Sequence, residues 1–289
     1  MKYTSILLFA ALITITGCDK ALEGGSRNIT VKAGIGNMTK VEYAGNKASF
    51  VSGDKISVYA WTGNAATVGT SLAVDGVTNT FDGSKWTPAI QMLWDDDSSQ
   101  HYFLGISPEH KVTNFTSDAY TLDPAQYAAS DLMIATNLTG LVPSDTPVTL
   151  NFTHALARLD VNLSFRSQWS EEPTVTAVTA TAKKTATVDY LTKAFTVTGT
   201  AGPVALAASV NNAWSSLQIP QAGVRTITVT IGGKDFVFTH TADIPLVGGK
   251  YTTVNLTVGR DVIELADAIS ISDWISQGDE IGGDALEEE

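Results

Sequence analysis

One cysteine, Cys18, stands in the 289-residue chain, which excludes intrachain disulfides and any multi-cysteine metal cluster. Basic residues are scarce too: 18 Lys and Arg face 30 Asp and Glu, for a net charge of −12. A chain this acidic lacks the attraction that dominates binding to a phosphate backbone, so nucleic acid is excluded as a partner. After the N-terminus there is no apolar run of about 18 residues, the length a transmembrane helix needs. Charged residues, at 17%, are too few for helices laced with surface ion pairs, while 44% hydrophobic residues exclude disorder. Thr, Val and Gly are abundant instead, and these are residues of strands and turns.

The N-terminus reads as an export signal. Lys2 opens a short basic region, residues 6–13 are apolar throughout, and Ile15-Thr16-Gly17-Cys18 fits a bacterial lipobox. Residues 1–17 are therefore expected to be a lipoprotein signal peptide with Cys18 as the lipidated residue. An ordinary secretory signal or a short membrane anchor with an incidental cysteine is the alternative. Residues 18–27, with Gly24-Gly25-Ser26, read as a tether. The acyl chains would hold the protein at a membrane that its own charge does not seek.

Alternation with a period of two dominates the remainder. It runs through residues 29–33, 55–61, 147–152, 159–165, 174–182, 226–231 and 253–258. Side chains two apart share a face, so each run has one apolar side and one rich in Thr, Asn and Asp. Gly53-Asp54, Asp82-Gly83, Gly202-Pro203, Gly232-Gly233 and Gly248-Gly249 punctuate the runs, and Gly232-Gly233 marks a hairpin. Only residues 125–135 have a helical flavour, and an irregular connection fits them as well. Many short strands without alternating helices predict an all-β chain of antiparallel sandwiches. A sandwich takes about 100–130 residues, so two tandem domains are expected, at 28–157 and 158–289. The short apolar link at Arg158 predicts a firm interface.

Chemistry is hard to find along this chain. There is no G-x-S-x-G, H-E-x-x-H, P-loop or strand-associated G-x-G-x-x-G, and no cofactor is implied. His101, His110, His154 and His240 lack metal-ligand spacing. Inside an apolar stretch, His154 reads as a hydrogen-bonded core or hinge residue. Asp95-Asp96-Asp97-Ser98-Ser99 is a solvated acidic turn by default, with calcium the alternative; it lacks the Gly and the distal Glu of an EF-hand. The six tryptophans are spread along the chain, which favours packing over a sugar-stacking face. Beside Leu156 and Leu159, the Arg158 guanidinium is expected to spend its donors on backbone carbonyls or a carboxylate between the domains. The tail, residues 278–289, is acidic and ends the chain in Glu.

Five segments resemble the fimbrillins of Bacteroidetes, the subunits of type V pili. They are the lipobox at Cys18; a first strand leading to a basic residue, Asn28 through Lys40; and Phe50-Val51-Ser52-Gly53-Asp54-Lys55-Ile56-Ser57-Val58-Tyr59. The fourth is Phe152-Thr153-His154-Ala155-Leu156-Ala157-Arg158-Leu159, at the domain junction, and the fifth is Ile271-Ser272-Asp273-Trp274. Together they span almost the whole chain in the family's order.

The resemblance implies two transthyretin-like β-sandwich domains, export as a lipoprotein to the outer membrane, and a place in a cell-surface fimbrium. It also implies that a trypsin-like protease cuts after the basic residue that follows the first strand. Lys40 stands where the family often has Arg, with Arg27 and Lys47 as the other candidates. Loss of the first strand would open a groove for a strand of the next subunit, and residues 263–275 are the candidate donor. The implied partners are other fimbrial subunits, the membrane before processing, and a host or bacterial surface receptor. A non-polymerising anchor or tip adhesin of the same fold is the second reading. A glycan-binding surface lipoprotein or hydrolase accessory module is the third.

Overall fold

A computed structural model describes residues 28–36 and 49–274 of the chain. Its first half contains β1 (Val31–Ile35), β2 (Lys55–Thr62), β3 (Val74–Phe81), β4 (Trp86–Pro88), β5 (His101–Ser107), β6 (Asp118–Thr121), α1 (Tyr127–Ser130), β7 (Met133–Leu141) and β8 (Val148–His154). The stretch with helical flavour is thus a single helical turn that gives way to a strand at Met133. Next come β9 (Ala157–Phe165), β10 (Val175–Ala182), β11 (Thr185–Asp189), β12 (Ala194–Thr198), β13 (Gly202–Ala205), β14 (Ala207–Ala208) and β15 (Ala213–Gln218). The chain closes with β16 (Thr226–Ile231), β17 (Lys234–Thr239), β18 (Lys250–Val258), β19 (Ile263–Leu265) and β20 (Ser270–Asp273). The fold is all-β, of the β-sandwich kind.

Seven strands form one sheet in the order β1-β8-β7-β5-β2-β3-β4. It curls until its two edges approach: β1 lies against β4, and Asn28 forms an antiparallel bridge with Leu93 just beyond β4. Alternation sorts the side chains onto two faces. Ile56, Val58, Ala60 and Phe103 enter the core inside the curl, while Tyr59, Trp61, Leu104 and Ile106 enter a second core on the other side. Gly105 faces the inner core because there is no room for more, since a Cβ there would lie 2.6 Å from Phe152 Cζ.

The second core is filled mainly by a sandwich of two sheets. One is β14-β15-β9-β18 with β19 and β20 sharing the far edge of β18, and the other is β13-β10-β16-β17. Leu159, Val161 and Leu163 of the first sheet join Val178, Ile227 and Val229 of the second in one cluster. A small sheet, β12-β11-β6, joins a strand from before Arg158 to two from after it. Gly232 and Gly233 turn the β16–β17 hairpin with φ of 57° and 79°, the left-handed pair that a tight hairpin requires. Among the described strands two pairings depart from an antiparallel pattern: β1 with β8 and β9 with β18 are parallel. Their partners are far apart in sequence, so no hairpin turn fixes their direction.

Candidate functional site

The feature of the first half with most consequence is the position of β1. Ile29, Val31 and Ile35 are buried in the inner core and Ala33 packs against it, while Thr30 and Lys32 are exposed. Register with β8 runs from Val31–Val148 to Ile35–Phe152, extended by Val148 N donating to Thr30 O at 2.8 Å and Gly36 N donating to Phe152 O at 2.8 Å. On its other flank, Ile29 N donates to Met92 O at 2.9 Å. β1 is therefore the stave that closes the curl, laddered to β8 along its length and tethered on the other flank just before it begins, at Ile29. Beneath it, Phe50 packs edge-on against Trp86 and Phe152, at centroid distances of 4.9 and 5.3 Å. Without β1, the β8 edge and an apolar trough would face water.

His154, which ends β8, has a buried side chain; its Nδ1 lies 2.9 Å from Oδ1 of the buried Asp131. Its ring stacks on Trp274, with centroids 4.1 Å apart and planes 6° from parallel. Trp274 N donates to Gly249 O at 2.7 Å, and Gly249 N donates to Leu156 O at 2.9 Å. The Phe-x-His and Ile-x-x-Trp segments, read separately in the sequence, thus meet in space. Arg158 is mostly covered, and its Nε donates to Asp160 Oδ1 at 2.7 Å, a carboxylate two residues along its own strand. Burial pushes the Asp160 carboxyl above its ordinary value against the pull of Arg158.

A polar network that the sequence did not reveal ties β6 to the end of β11. Asp118 is buried and accepts from His110 Nε2 at 2.7 Å, Tyr190 OH at 3.0 Å and Thr113 Oγ1 at 3.0 Å. Burial alone would raise its pKa; the bonds from His110, Thr113 and Tyr190 outweigh burial and hold the carboxyl below its usual 3.8. Asp118 and Tyr190 lie 72 residues apart, and no local pattern announces such a contact.

The remaining candidates separate. In the acidic run, Asp96 Oδ1 accepts from Ser98 N at 2.7 Å and Ser99 N at 2.6 Å, so it closes a turn. Among the described residues no group of three or more His, Cys, Asp or Glu could hold a metal ion. Trp61, Trp86, Trp94 and Trp274 are buried and Trp169 and Trp214 half-buried, so none offers a fully exposed face for sugar stacking. The candidate donor is docked at the edge of β18, through β19 and β20. Cys18, Arg27, Lys40 and Lys47 lie outside the described residues, as does Ile275.

The model of the fimbrillin-like family matches residues 39–274. Comparison with curated proteins finds no significant match. Among solved structures, a candidate cell adhesion protein from Bacteroides uniformis is similar at 20% identity and a TM-score of 0.62, covering 86% of this chain and 98% of the other. A second candidate cell adhesion protein, from Bacteroides ovatus, gives 14% identity and a TM-score of 0.67 with the same coverage of 86% and 98%. A fimbrial protein from Bacteroides vulgatus gives 12% identity and a TM-score of 0.51, covering 86% of this chain and all of the other. At these identities the likeness is one of fold.

Proposed function

The chain belongs to the fimbrillin-like family, and we propose that it is a structural subunit of a cell-surface fimbria that polymerises by exchange of its first strand. The family is one of structural, non-enzymatic fimbrial proteins that associate with other fimbrial subunits. One observation supports strand exchange above the rest: β1 is an edge stave whose Val31 and Ile35, with Ile29 just before it, fill the inner core. A strand held by backbone ladders and alternating pockets is replaceable by another strand of the same pattern. Repeated head to tail, such a heterologous contact builds a filament.

In this reading the precursor is lipidated at Cys18, reaches the outer membrane, and is cut after Lys40, with Arg27 and Lys47 as other sites. Two sandwich units meet at Arg158, and residues 263–275 supply the donor strand. A subunit that keeps β1 and its lipid would instead anchor or cap the fimbria, and the ladder from β1 to β8 with the further bond from Ile29 to Met92 suits that role. N-terminal sequencing of protein recovered from the cell surface separates the two. A new N-terminus at Val41 is expected of the polymerising subunit, and an intact lipidated Cys18 would transfer the assignment to the anchor.

A further inference from the structure

A strand at the margin of a sheet presents backbone N–H and C=O groups to whatever comes near, and folded chains blunt such edges with charge, proline or brevity. Among the described residues every outer strand but one follows that rule. β1 carries Lys32, β4 Pro88, β13 Pro203, β17 Lys234, β19 Glu264 and β20 Asp273, while β6 holds the buried Asp118 and β14 is two residues long. The exception is β12, the outer strand of the small sheet, with neither charge nor proline in its five residues. Its register with β11 runs without a shift from Thr185–Thr198 to Asp189–Ala194, so no bulge twists the edge away. Lys193, just before it, turns elsewhere: its Nζ donates to Thr153 Oγ1 of β8 at 2.9 Å.

This edge lies in the longest stretch of the chain without charge. Charged residues make up 17% of the sequence, yet none falls between Lys193 and Arg225. That stretch builds β12, β13, β14 and β15, and the first three are outer strands of three different sheets. Only residues 199–201, and then Leu206 alone, connect them, so the three margins follow one another along one flank. Thr196, Thr198, Ala205 and Val210 are exposed there. Phe195 and Val197 turn inward and pack against the second core, Phe195 edge-on to Tyr120 at 5.9 Å.

We infer that this flank is a contact between two copies of the chain, made by antiparallel pairing of their β12 strands. Copies that each carry −12 repel one another, and they close most readily where neither presents charge. An edge built for a partner of opposite charge would carry charge of its own. Pairing across a two-fold axis keeps Ala194, Thr196 and Thr198 beside their counterparts on the outer face, and Phe195 and Val197 beside theirs on the inner face. The two small sheets then become one. Such a contact closes at two copies, so it cannot lengthen a filament and instead joins subunits, or two fimbriae, side by side. Five residues bury little surface, so the pair is weak alone and gains strength by repetition along two fimbriae. β1 takes no part in it, and the inference does not depend on strand exchange.

Sedimentation equilibrium of the uncut chain, from about 10 μM to about 1 mM, tests the contact. A monomer–dimer equilibrium is expected, and a chain that stays monomeric throughout would overturn the inference. Thr196→Lys, at the middle of β12, sets each lysine beside its own copy, directly or diagonally, in any register that pairs most of the strand. It is expected to weaken the dimer about tenfold or more, although it makes the chain less negative by one charge. Thr70→Lys, in the β2–β3 loop, changes an exposed residue and the net charge alike, and is expected to leave the dimer as strong or stronger. Thr196→Val, without charge, should keep it. A dimer that survives Thr196→Lys, or that both lysines weaken equally, would show that the copies meet at another surface and would overturn the role of β12.

Discussion

Gly248 stands where a side chain has no room: a Cβ there would come within 2.6 Å of the Ala155 carbonyl oxygen. That oxygen belongs to the backbone of the junction, next to the His154 ring that stacks on Trp274, so it cannot swing aside. Gly248→Ala should therefore destabilise the chain by about 1–3 kcal/mol, the usual cost of overpacking. Gly69→Ala, where nothing lies within 4 Å, is the control and should be near neutral in the same denaturant titration. Asp118 makes a second prediction at this scale. Its pKa is held below the usual 3.8, so its contribution is fully present above that value and is lost as pH falls through the lowered one. Asp118→Asn should cost about 1–3 kcal/mol at neutral pH through unpaired partners, with the gap to the natural chain closing below about pH 4. A gap that stays constant down to pH 2 would show that the carboxylate charge has no part in the network.

Among the elements, β1 states most plainly what alternation means. Ile35 is buried against Phe152 while Thr30 faces water, so Ile35→Ala should cost about 2–5 kcal/mol and Thr30→Ala within about 0.5 kcal/mol. Comparable losses at the two positions, read from denaturation midpoints, would mean that the strand is not seated as described. This strand was legible in the sequence because Ile29, Val31 and Ala33 recur every second residue, and the longer strands were legible for the same reason. β4, β6 and β13 were not, since three or four residues hold too little of a period to recognise. The parallel directions of β1 and β9 were hidden as well, because alternation reports which face a residue takes and nothing about its neighbouring strand. The junction was half legible. His154 and Arg158 stood out in one segment and Trp274 in another, but the stack between His154 and Trp274 depends on how the sheets bring remote strands together.

Charge acts on the whole molecule. The full chain carries −12 from 18 bases and 30 acids. Cutting after Lys40 would remove Lys2, Lys20, Arg27, Lys32 and Lys40 but only Asp19 and Glu23, leaving 13 bases and 28 acids, or −15. Processing would thus make each subunit more acidic at the moment when it has to approach another. In the strand-exchange reading an apolar trough and an unpaired sheet edge would draw cut subunits together at short range, but at long range like charges would oppose the encounter. Screening shortens that repulsion from a range of about 10 Å at 0.1 M salt to about 3 Å at 1 M. Assembly of the cut chain should therefore speed up with added salt, the reverse of the behaviour of an interface built on opposite charges. Light scattering after limited trypsin digestion, at low and high sodium chloride, measures this directly. Growth slowed by salt would show that complementary charges, and not the seating of an apolar strand, govern the contact between subunits.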